Sequence, residues 1–317
     1  RIIAPMGWES NFVPERLDSK LKSWGRALCR WYLSKFPLRD GKSYFYEKLH
    51  SHLMPGERLL TVTLDQGFRM RLDLEDAEQR KVYFFGHYHE RYEAALVARL
   101  LDPGEVFWDV GANVGYFSLV AAAAVGEPGE VVAFEPGAAA LERLTENVSL
   151  NPYKHIRIFN LAVAEAEGEA TLYRADGIAD SSASLFSAAA GAAAGEICRT
   201  VALDGWLKQE GLRPPDFLKL DVEGAELAAL QGAAGLLTAS RPLLLVEMEE
   251  KNLVAAGASK AAIQSFLQDF GYRAAFLRKG RWHPIDDVNL TRGRNLFWFN
   301  PAIPRHREKA SRVLNIS

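Results

Sequence analysis

The stretch that decides the fold is Val106-Phe-Trp-Asp-Val-Gly-Ala-Asn-Val-Gly-Tyr-Phe-Ser118. It predicts an apolar strand that runs directly into a turn containing Gly111 and Gly115, and then into a helix. Glycine allows the backbone to turn sharply and to approach a ligand closely. In a doubly wound sheet this turn lies at the carboxyl ends of the strands, where ligands bind. We therefore predict an α/β domain with a ligand site around residues 109–115.

Strands and helices alternate on both sides of this stretch from residue 105 onward. Strands are predicted at residues 106–110, 130–135, 156–161, 217–220 and 242–247. Helices are predicted at residues 116–125, 138–151, 225–232 and 260–270. Two further strands, at 273–278 and 295–300, would close the sheet with an antiparallel edge. The pattern is typical of a mostly parallel sheet, here of seven strands, with crossover helices.

The region before this core reads as a helical and β-hairpin extension. Residues 14–54 are helical and basic, and their large apolar side chains recur at three- and four-residue spacing: Leu17, Leu21, Trp24, Leu28, Trp31 or Tyr32, and Phe36. We expect this stripe to pack on the main domain or on a second subunit, and a membrane surface or a groove is the alternative. Strands at 58–64 and 68–74 and a helix at 90–101 follow.

These patterns divide the chain into four parts. Residues 1–57 form the N-terminal helical extension, which would serve as a lid, in dimerisation or in substrate recruitment. Residues 58–104 form the hairpin and its lead-in helix, 105–303 the core domain, and 304–317 a C-terminal tail. The segment 181–195 is rich in Ser, Ala and Gly, and it is predicted to be a lid or a surface insertion near the site.

Composition limits the classes of function. The formal net charge of −2 gives no general attraction to nucleic acid, so we expect no nucleic-acid partner. The two cysteines, Cys29 and Cys198, are far apart, which argues against a disulfide framework or a structural zinc site. No apolar run reaches the roughly 18 residues of a membrane span, so stable membrane insertion is not expected. Residues 1–15 lack the pattern of a signal peptide, and a cytoplasmic location is predicted.

Two acidic motifs follow the glycine turn. Glu135 ends a short apolar strand about twenty residues after Gly115, where a carboxylate can accept both hydroxyls of a ribose. The glycine pattern is Gly-x-x-x-Gly, with Asn113 where the dinucleotide fingerprint has glycine, and this disfavours NAD. Asp109 suits a cationic amino-acid head group instead. The stretch Lys219-Leu-Asp-Val-Glu-Gly-Ala-Glu226 brings further carboxylates to the same edge of the sheet.

Together these motifs resemble the FkbM-type family of S-adenosylmethionine-dependent methyltransferases over about residues 80–300. The resemblance implies a class I methyltransferase (Rossmann-like) fold. It also implies methyl transfer from S-adenosylmethionine, with S-adenosylhomocysteine as product, to a hydroxyl of a saccharide, polyketide or other specialised metabolite. The cofactor-binding positions that it implies are Asp109, Gly111, Asn113 and Gly115 for the methionine part, Glu135 with Pro136 for the ribose, Ala162 for the adenine border, and Asp221 and Glu223 for the amine or the acceptor.

The acceptor hydroxyl must lose a proton, and three residues are candidate bases. Asp221 lies at the right strand end, whereas His87 and His89 precede the helix that leads into the core. Glu247 could complete a carboxylate cluster with Asp221 and Glu223, and such oxygen ligands would suit magnesium or calcium. Because no spacing is diagnostic, we predict no metal ligand and treat a divalent metal as the less favoured case.

Other functions remain open at this point. A peptide or protein could be the methyl acceptor, recruited by the basic helix at 14–54. A non-catalytic binding or dimerisation module on the same fold is a further alternative, which the intact glycine turn, Glu135 and Asp221 disfavour. Helical extensions of this kind often form dimers, so a homodimer is expected.

Overall fold

A computed structural model describes residues 14–36, 41–174, 183–185 and 195–314 of the 317-residue chain. The segment 181–195, for which the sequence predicts a lid or an insertion, lies outside the described residues except for 183–185 and 195. The helices of the described residues are α1 (Pro14–Lys35), α2 (Lys42–Leu49), α3 (Ala77–Phe85), α4 (Arg91–Leu100), α5 (Tyr116–Val125), α6 (Ala138–Ser149), α7 (Leu203–Gln209), α8 (Glu226–Gln231), α9 (Ala234–Ala239), α10 (Glu250–Ala255), α11 (Lys260–Asp269) and α12 (Pro304–Ser311). Across the described ranges, no helix is long and apolar enough to cross a membrane.

The described strands are β1 (Leu59–Thr63), β2 (Arg69–Asp73), β3 (Val106–Val110), β4 (Glu130–Phe134), β5 (Ile156–Phe159), β6 (Ala162–Val163), β7 (Gly168–Arg174), β8 (Ala183–Ser184), β9 (Gly195–Val201), β10 (Phe217–Leu220), β11 (Leu243–Glu247), β12 (Arg273–Arg278), β13 (Arg281–Ile285) and β14 (Asn295–Phe299). Eight of them form the central sheet, in the spatial order β13-β12-β14-β11-β10-β3-β4-β5. The five strands from β11 to β5 run parallel, and β14, β12 and β13 pair antiparallel.

Strand β3 lies inside this sheet, and all five of its residues are buried. Successive side chains point to opposite faces, so Phe107 joins the apolar cluster that contains α4 and α5, and Trp108 joins the cluster that contains α8 and α11. A strand covered by helices on both faces reads as a continuous apolar run, as β3 does in the sequence. Its carboxyl end meets those of β4 and β10, which places the glycine turn beside the two acidic motifs.

The predicted count of seven strands is wrong, because the described sheet has eight. The additional strand is β13, which pairs with β12 across a turn at Lys279 and Gly280, both with positive φ. The sequence does not predict this strand because it contains Pro284, and proline is normally excluded from strands. β13 is an edge strand, however, and there a missing N–H is tolerated. The predicted strand at 295–300 is present, but β14 lies between β11 and β12 rather than at the edge.

A second sheet, of the order β6-β9-β7-β8 among the described strands, was not predicted from the sequence. It follows β5 and carries Leu172, which packs with Ala162 and Cys198. The strands β6 and β8 are only two residues long, so their local pattern gives no strand signal. This small sheet lies beside the ligand cavity described below, because Ala162 and Leu172 line that cavity.

The N-terminal extension differs from its predicted packing. The structure divides it into α1 and α2, and α1 contacts the domain through Leu33 and Cys29, which are 1% and 8% exposed. The apolar stripe instead faces outward. Four of its described members are more than half exposed: Leu21 (65%), Trp24 (78%), Leu28 (65%) and Trp31 (53%). Tyr32 and Phe36, near the end of the helix, are partly buried, and Tyr32 packs against the core of the domain. Most of the stripe therefore does not pack on the main domain, and packing on a second subunit, the other partner that we expected, stays a prediction. Three- and four-residue spacing identifies an apolar face of a helix but not the partner of that face.

Candidate active site

The turn between β3 and α5 is held by the neighbouring strands. The backbone N–H groups of Gly111 and Ala112 both donate to the Phe134 carbonyl oxygen at 3.0 Å. Gly111 has φ of 78°, and a Cβ atom there would lie 1.8 Å from the carbonyl oxygen of Asp221. Glycine is thus required at residue 111 for the close approach of the two strand ends. Asn113 also adopts a positive φ, of 49°, which asparagine tolerates better than most residues.

Glu135 is fixed by backbone donors at the end of β4. Its Oε2 accepts from the N–H of Asn113 at 2.8 Å, and its Oε1 accepts from the N–H of Gly137 at 2.9 Å. The residue is 7% exposed. A carboxylate has about four lone-pair sites, so these two bonds do not exhaust its acceptor capacity. The glycine turn therefore orients the carboxylate that the sequence predicts for ribose binding.

A cavity lies between the turn, Glu135 and the small sheet. Its lining includes these predicted cofactor residues: Gly111, Asn113, Glu135, Pro136, Ala162, Asp221 and Glu223. Leu161 and Val163, on either side of Ala162, line it as well, and they give this end an apolar surface suited to a planar base. The structure thus brings together, at one cavity, residues from three separate strand ends.

Asp109 and Gly115, which the sequence also predicts for the cofactor, do not line this cavity. Asp109 is fully buried, and its Oδ2 accepts from the Ser118 hydroxyl at 2.6 Å. Burial raises the pKa of Asp109 above its ordinary value, and the nearby Lys219 opposes that rise. At Gly115 a Cβ atom would meet Leu144 at 2.5 Å, so this glycine permits helix packing. Direct contact of either residue with a cofactor remains a prediction.

Lys219 is a buried cation at the centre of the site. It is 2% exposed and stands opposite Asp109 in the register of β10 and β3. Its Nζ lies 2.8 Å from Asp221 Oδ2 and 4.7 Å from the centre of the Phe117 ring. Burial alone would lower the pKa of Lys219, but the charges of Asp221 and Asp109 outweigh it and raise the pKa. The sequence motif contained Lys219 without indicating this role.

A second cavity shares Asn113, Asp221 and Glu223 with the first. Its remaining walls are polar and aromatic: Glu78, Lys81, Tyr88, His89, Glu90, Glu247 and Arg294. No local spacing connects residues so distant in the chain, which explains why the sequence assigned no role to Glu78, Glu90 or Arg294. The shared residues form a junction between the two cavities.

The two candidate histidines occupy different positions. His89 lines the second cavity, and its Nδ1 lies 3.2 Å from Glu78 Oε2. Burial opposes a charge on His89, but the hydrogen bond and charge of Glu78 outweigh it and raise the pKa. His87 lines a neighbouring cavity with Tyr46 and Phe85, and burial lowers its pKa. Of these two histidines, only His89 borders the cavity that contains Asp221.

Asp221, Glu223 and Glu247 form a cluster at the junction. One carboxylate oxygen from each lies within 4.8 Å of the others. Burial, followed by the charge of Asp221, raises the pKa of Glu223 to about 7 and that of Glu247 well above its ordinary value. Burial would also raise the pKa of Asp221, but Lys219 outweighs this effect and lowers it. The three residues therefore form the carboxylate cluster that the sequence analysis considered.

Comparison with known proteins identifies the family. Residues 109–274 match the methyltransferase FkbM domain. This match covers half of the chain, and the chain therefore belongs to the FkbM methyltransferase family. The predicted resemblance and the class I methyltransferase fold are confirmed, apart from the number of strands.

Individual relatives are distant. The AMB antimetabolite synthetase AmbE of Pseudomonas aeruginosa is 27% identical to this chain. The matched region covers 74% of this chain but only 12% of the length of AmbE. The 2-O-methyltransferase NoeI of Sinorhizobium fredii is 25% identical over 58% of this chain and 79% of its own length. A solved FkbM methyltransferase from Methylobacillus flagellatus is 17% identical, with a TM-score of 0.41, over 62% of this chain and 43% of its own.

Proposed function

We propose that this protein is an S-adenosylmethionine-dependent methyltransferase. Its acceptor would be a hydroxyl of a small molecule, such as a saccharide, a polyketide or another specialised metabolite. The observation that carries the proposal is the pair of cavities that meet at Asn113, Asp221 and Glu223. The first cavity holds the glycine turn and Glu135, and the second is lined by charged, polar and aromatic side chains. Family membership and the name of the relative NoeI, a 2-O-methyltransferase, support the assignment.

The residues of the first cavity fit the proposed cofactor. Glu135 would accept the two ribose hydroxyls, because its carboxylate is already oriented by Asn113 and Gly137. The apolar surface at residues 161–163 would border the adenine, and Asp221 or Glu223 would face the amine. When bound, the cofactor supplies an electrophilic methyl group on a sulfonium. Alignment of the two reactants across the junction would contribute on the order of 7–11 kcal/mol to the lowering of the barrier.

A base must take the proton of the acceptor hydroxyl. His89 and Asp221 both line the second cavity, and the structure places His87 in a neighbouring one. Glu78 fixes the orientation of the His89 ring through Nδ1, which leaves Nε2 as the ring atom that could receive the proton. Asp221 is held as a carboxylate by Lys219. We therefore favour His89 or Asp221 over His87 as the base.

The test is calorimetric titration of the protein with S-adenosylmethionine, S-adenosylhomocysteine and NAD. We expect saturable binding of both adenosyl compounds and no binding of NAD. Glu135→Ala should weaken binding of S-adenosylmethionine by roughly 1.5–3 kcal/mol, because charge-assisted hydrogen bonds to the ribose are lost. Glu165→Ala, at an exposed carboxylate outside the cavity, is the matched control and should bind as the wild type does.

Each other outcome has a definite meaning. Unchanged affinity in Glu135→Ala would refute the ribose assignment. Absence of binding by the wild type would favour a non-catalytic module on this fold. If the adenosyl compounds bind but only peptides are methylated, the acceptor class is a peptide or protein and the small-molecule proposal fails.

A further inference from the structure

We propose that Asp221, Glu223 and Glu247 form a binding site for one divalent metal ion of the magnesium, manganese or calcium type. The site lies at the junction of the two cavities, since Asp221 and Glu223 line both and Glu247 lines the second. The sequence analysis considered this carboxylate cluster but predicted no metal ligand. The geometry of the three side chains now favours one.

The separation of the ligand atoms suits a hard cation. The three carboxylate oxygens lie within 4.8 Å of one another. Atoms at this separation leave a point that is about 2.8 Å or less from all three. Small side-chain movements bring that distance to the roughly 2.0–2.6 Å at which magnesium and calcium bind carboxylate oxygens.

Each carboxylate is held through one oxygen by a protein donor. Lys219 Nζ lies 2.8 Å from Asp221 Oδ2, and an Arg294 Nη donates to Glu247 Oε1 at 2.9 Å. The Asn252 side-chain amide donates to Glu223 Oε2. Hydrogen bonds of this kind orient the ligating carboxylates in metal sites. Within the described residues, no side-chain nitrogen and no backbone N–H donates to the second oxygen of any of the three carboxylates.

Glu247 provides an independent observation. It is 4% exposed, and its Oε2 is buried without a hydrogen-bond partner among the described residues. An unpaired buried carboxylate oxygen is costly, so such an atom requires either a proton or a cation. Asp221 and Glu247 lie close enough to share a proton, and this shared proton is the competing explanation.

The local charge favours the cation. Lys219 and Arg294 are the cations in contact with the cluster, and Arg294 also binds Glu249 at 2.9 Å. On the acidic side, Asp109 and Glu90 stand close to Lys219 in addition to the three cluster carboxylates. Two cations thus face at least five carboxylates, and a divalent ion would balance most of the excess.

The metal ion would deepen the proposed function by activating the acceptor. A hydroxyl that enters the second cavity and binds the ion becomes more acidic, so that His89 can remove its proton more readily. This role rests on the proposed function, whereas the metal site itself does not.

The test is titration of the EDTA-treated protein with Mn²⁺, followed by the paramagnetic signal of free Mn²⁺, without cofactor or acceptor. We expect one Mn²⁺ per chain, displaced by excess Mg²⁺ or Ca²⁺. Glu247→Gln and Glu223→Gln should each weaken binding by at least about tenfold, since each loses a charged ligand. Glu249→Gln is the matched control, because Glu249 contacts Arg294 but lies outside the cluster, and its affinity should change by less than about threefold.

Thermal unfolding of each variant establishes that it is folded, and the glutamine substitutions retain the side-chain shape. No Mn²⁺ binding by the folded wild type would overturn the proposal and leave the shared proton as the explanation of the buried oxygen. Equal weakening in all three variants would overturn it as well. Because the readout contains no S-adenosylmethionine, failure here is distinguishable from failure of the proposed function.

Discussion

Lys219 carries a positive charge into the interior of the sheet, where it faces carboxylates on two strands. Asp221 directly follows β10, two residues after Lys219, and Asp109 stands opposite Lys219 on β3. Side chains two residues apart in a strand share a face, and so do those paired across a parallel ladder. The alternation of buried positions therefore explains why these three charges meet at one point.

Replacement of Lys219 should be among the most destabilising changes at a single residue. Lys219→Met leaves Asp109 and Asp221 without their buried cation, and breaking such a pair costs about 3–5 kcal/mol of unfolding free energy. The pKa of each carboxyl would rise, so the stability of the variant should fall further from pH 5 to pH 8. Denaturant unfolding at both pH values checks this.

Lys260→Met is the matched control for that prediction. Lys260 is also buried, at 7% exposed, but its Nζ contacts the Thr291 carbonyl oxygen at 3.5 Å rather than a carboxylate. Its loss should cost no more than about 1.5 kcal/mol, in the range of an ordinary hydrogen bond. Similar losses in the two variants would show that the charge of Lys219 does not stabilise the site.

At the scale of single elements, α12 is anchored by a neutral histidine. His306 is fully buried, its Nδ1 accepts from the Asn300 N–H at 2.9 Å, and its Nε2 lies 2.9 Å from the Arg241 carbonyl oxygen. Burial lowers the pKa of His306 to about 4. Nε2 must carry the proton in this arrangement, because it faces a carbonyl oxygen.

The anchoring of α12 should therefore weaken in acid. The folded pKa of His306 lies below the unfolded value of roughly 6.5. The unfolded state then takes up a proton first, so stability present above about pH 6.5 is lost as the pH falls towards 4. The loss should reach at most about 3.5 kcal/mol, at about 1.4 kcal/mol per pKa unit.

Chemical unfolding between pH 8 and pH 4 measures this loss. His306→Asn should be less stable than the wild type at pH 8 and should show a shallower decline in acid. An equally steep decline in the variant would assign the acid sensitivity to other groups.

Elements differ in how much their sequence reveals. The turn after β3 and the helix α5 were predictable, because a long apolar run and two glycines mark them in the sequence. The structure has the strand, turn and helix that this local pattern predicts. The face of α1 that contacts the domain did not follow, because Cys29 and Leu33 occupy it while the larger stripe is exposed. Local periodicity records which side chains share a face, whereas burial depends on partners elsewhere in the chain.

At the scale of the whole molecule, the exposed stripe of α1 bears on the predicted homodimer. Leu21, Trp24, Leu28 and Trp31 form one exposed apolar face, and exposed Tyr44 lies on the adjoining α2. If two copies associate through this face, Trp24→Glu combined with Leu28→Glu should convert a dimer to a monomer. Since both residues are exposed, the thermal stability of the separated chain should change little.

Sedimentation equilibrium measures the mass in solution. Leu290→Glu is the matched control, because Leu290 is 80% exposed but lies far from α1 in the sequence and outside the stripe. A wild type that is monomeric across the concentration range refutes the homodimer prediction. Loss of association in the control as well would refute the role of α1.

The composition of the candidate site could be predicted only in part. Glu135, Asp221 and Glu223 follow strands that end at one edge of the sheet, so their meeting was foreseeable from the alternation of elements. Glu78 is brought there by α3, and Arg294 by the segment that leads into β14. Their sequence neighbourhoods carry no chemical signal, because it is the packing of distant segments that brings them to the second cavity.

The position of β14 affects the order in which the chain can fold during synthesis. β14 lies between β11 and β12 in the sheet, although it follows both in the chain. A growing chain therefore exposes the unpaired edge of β11 until residues 295–299 have left the ribosome, about 50 residues after β11. At roughly 5–20 residues per second this interval lasts about 3–10 seconds. During that time an apolar strand with open hydrogen-bonding groups is available to chaperones, or to another nascent chain.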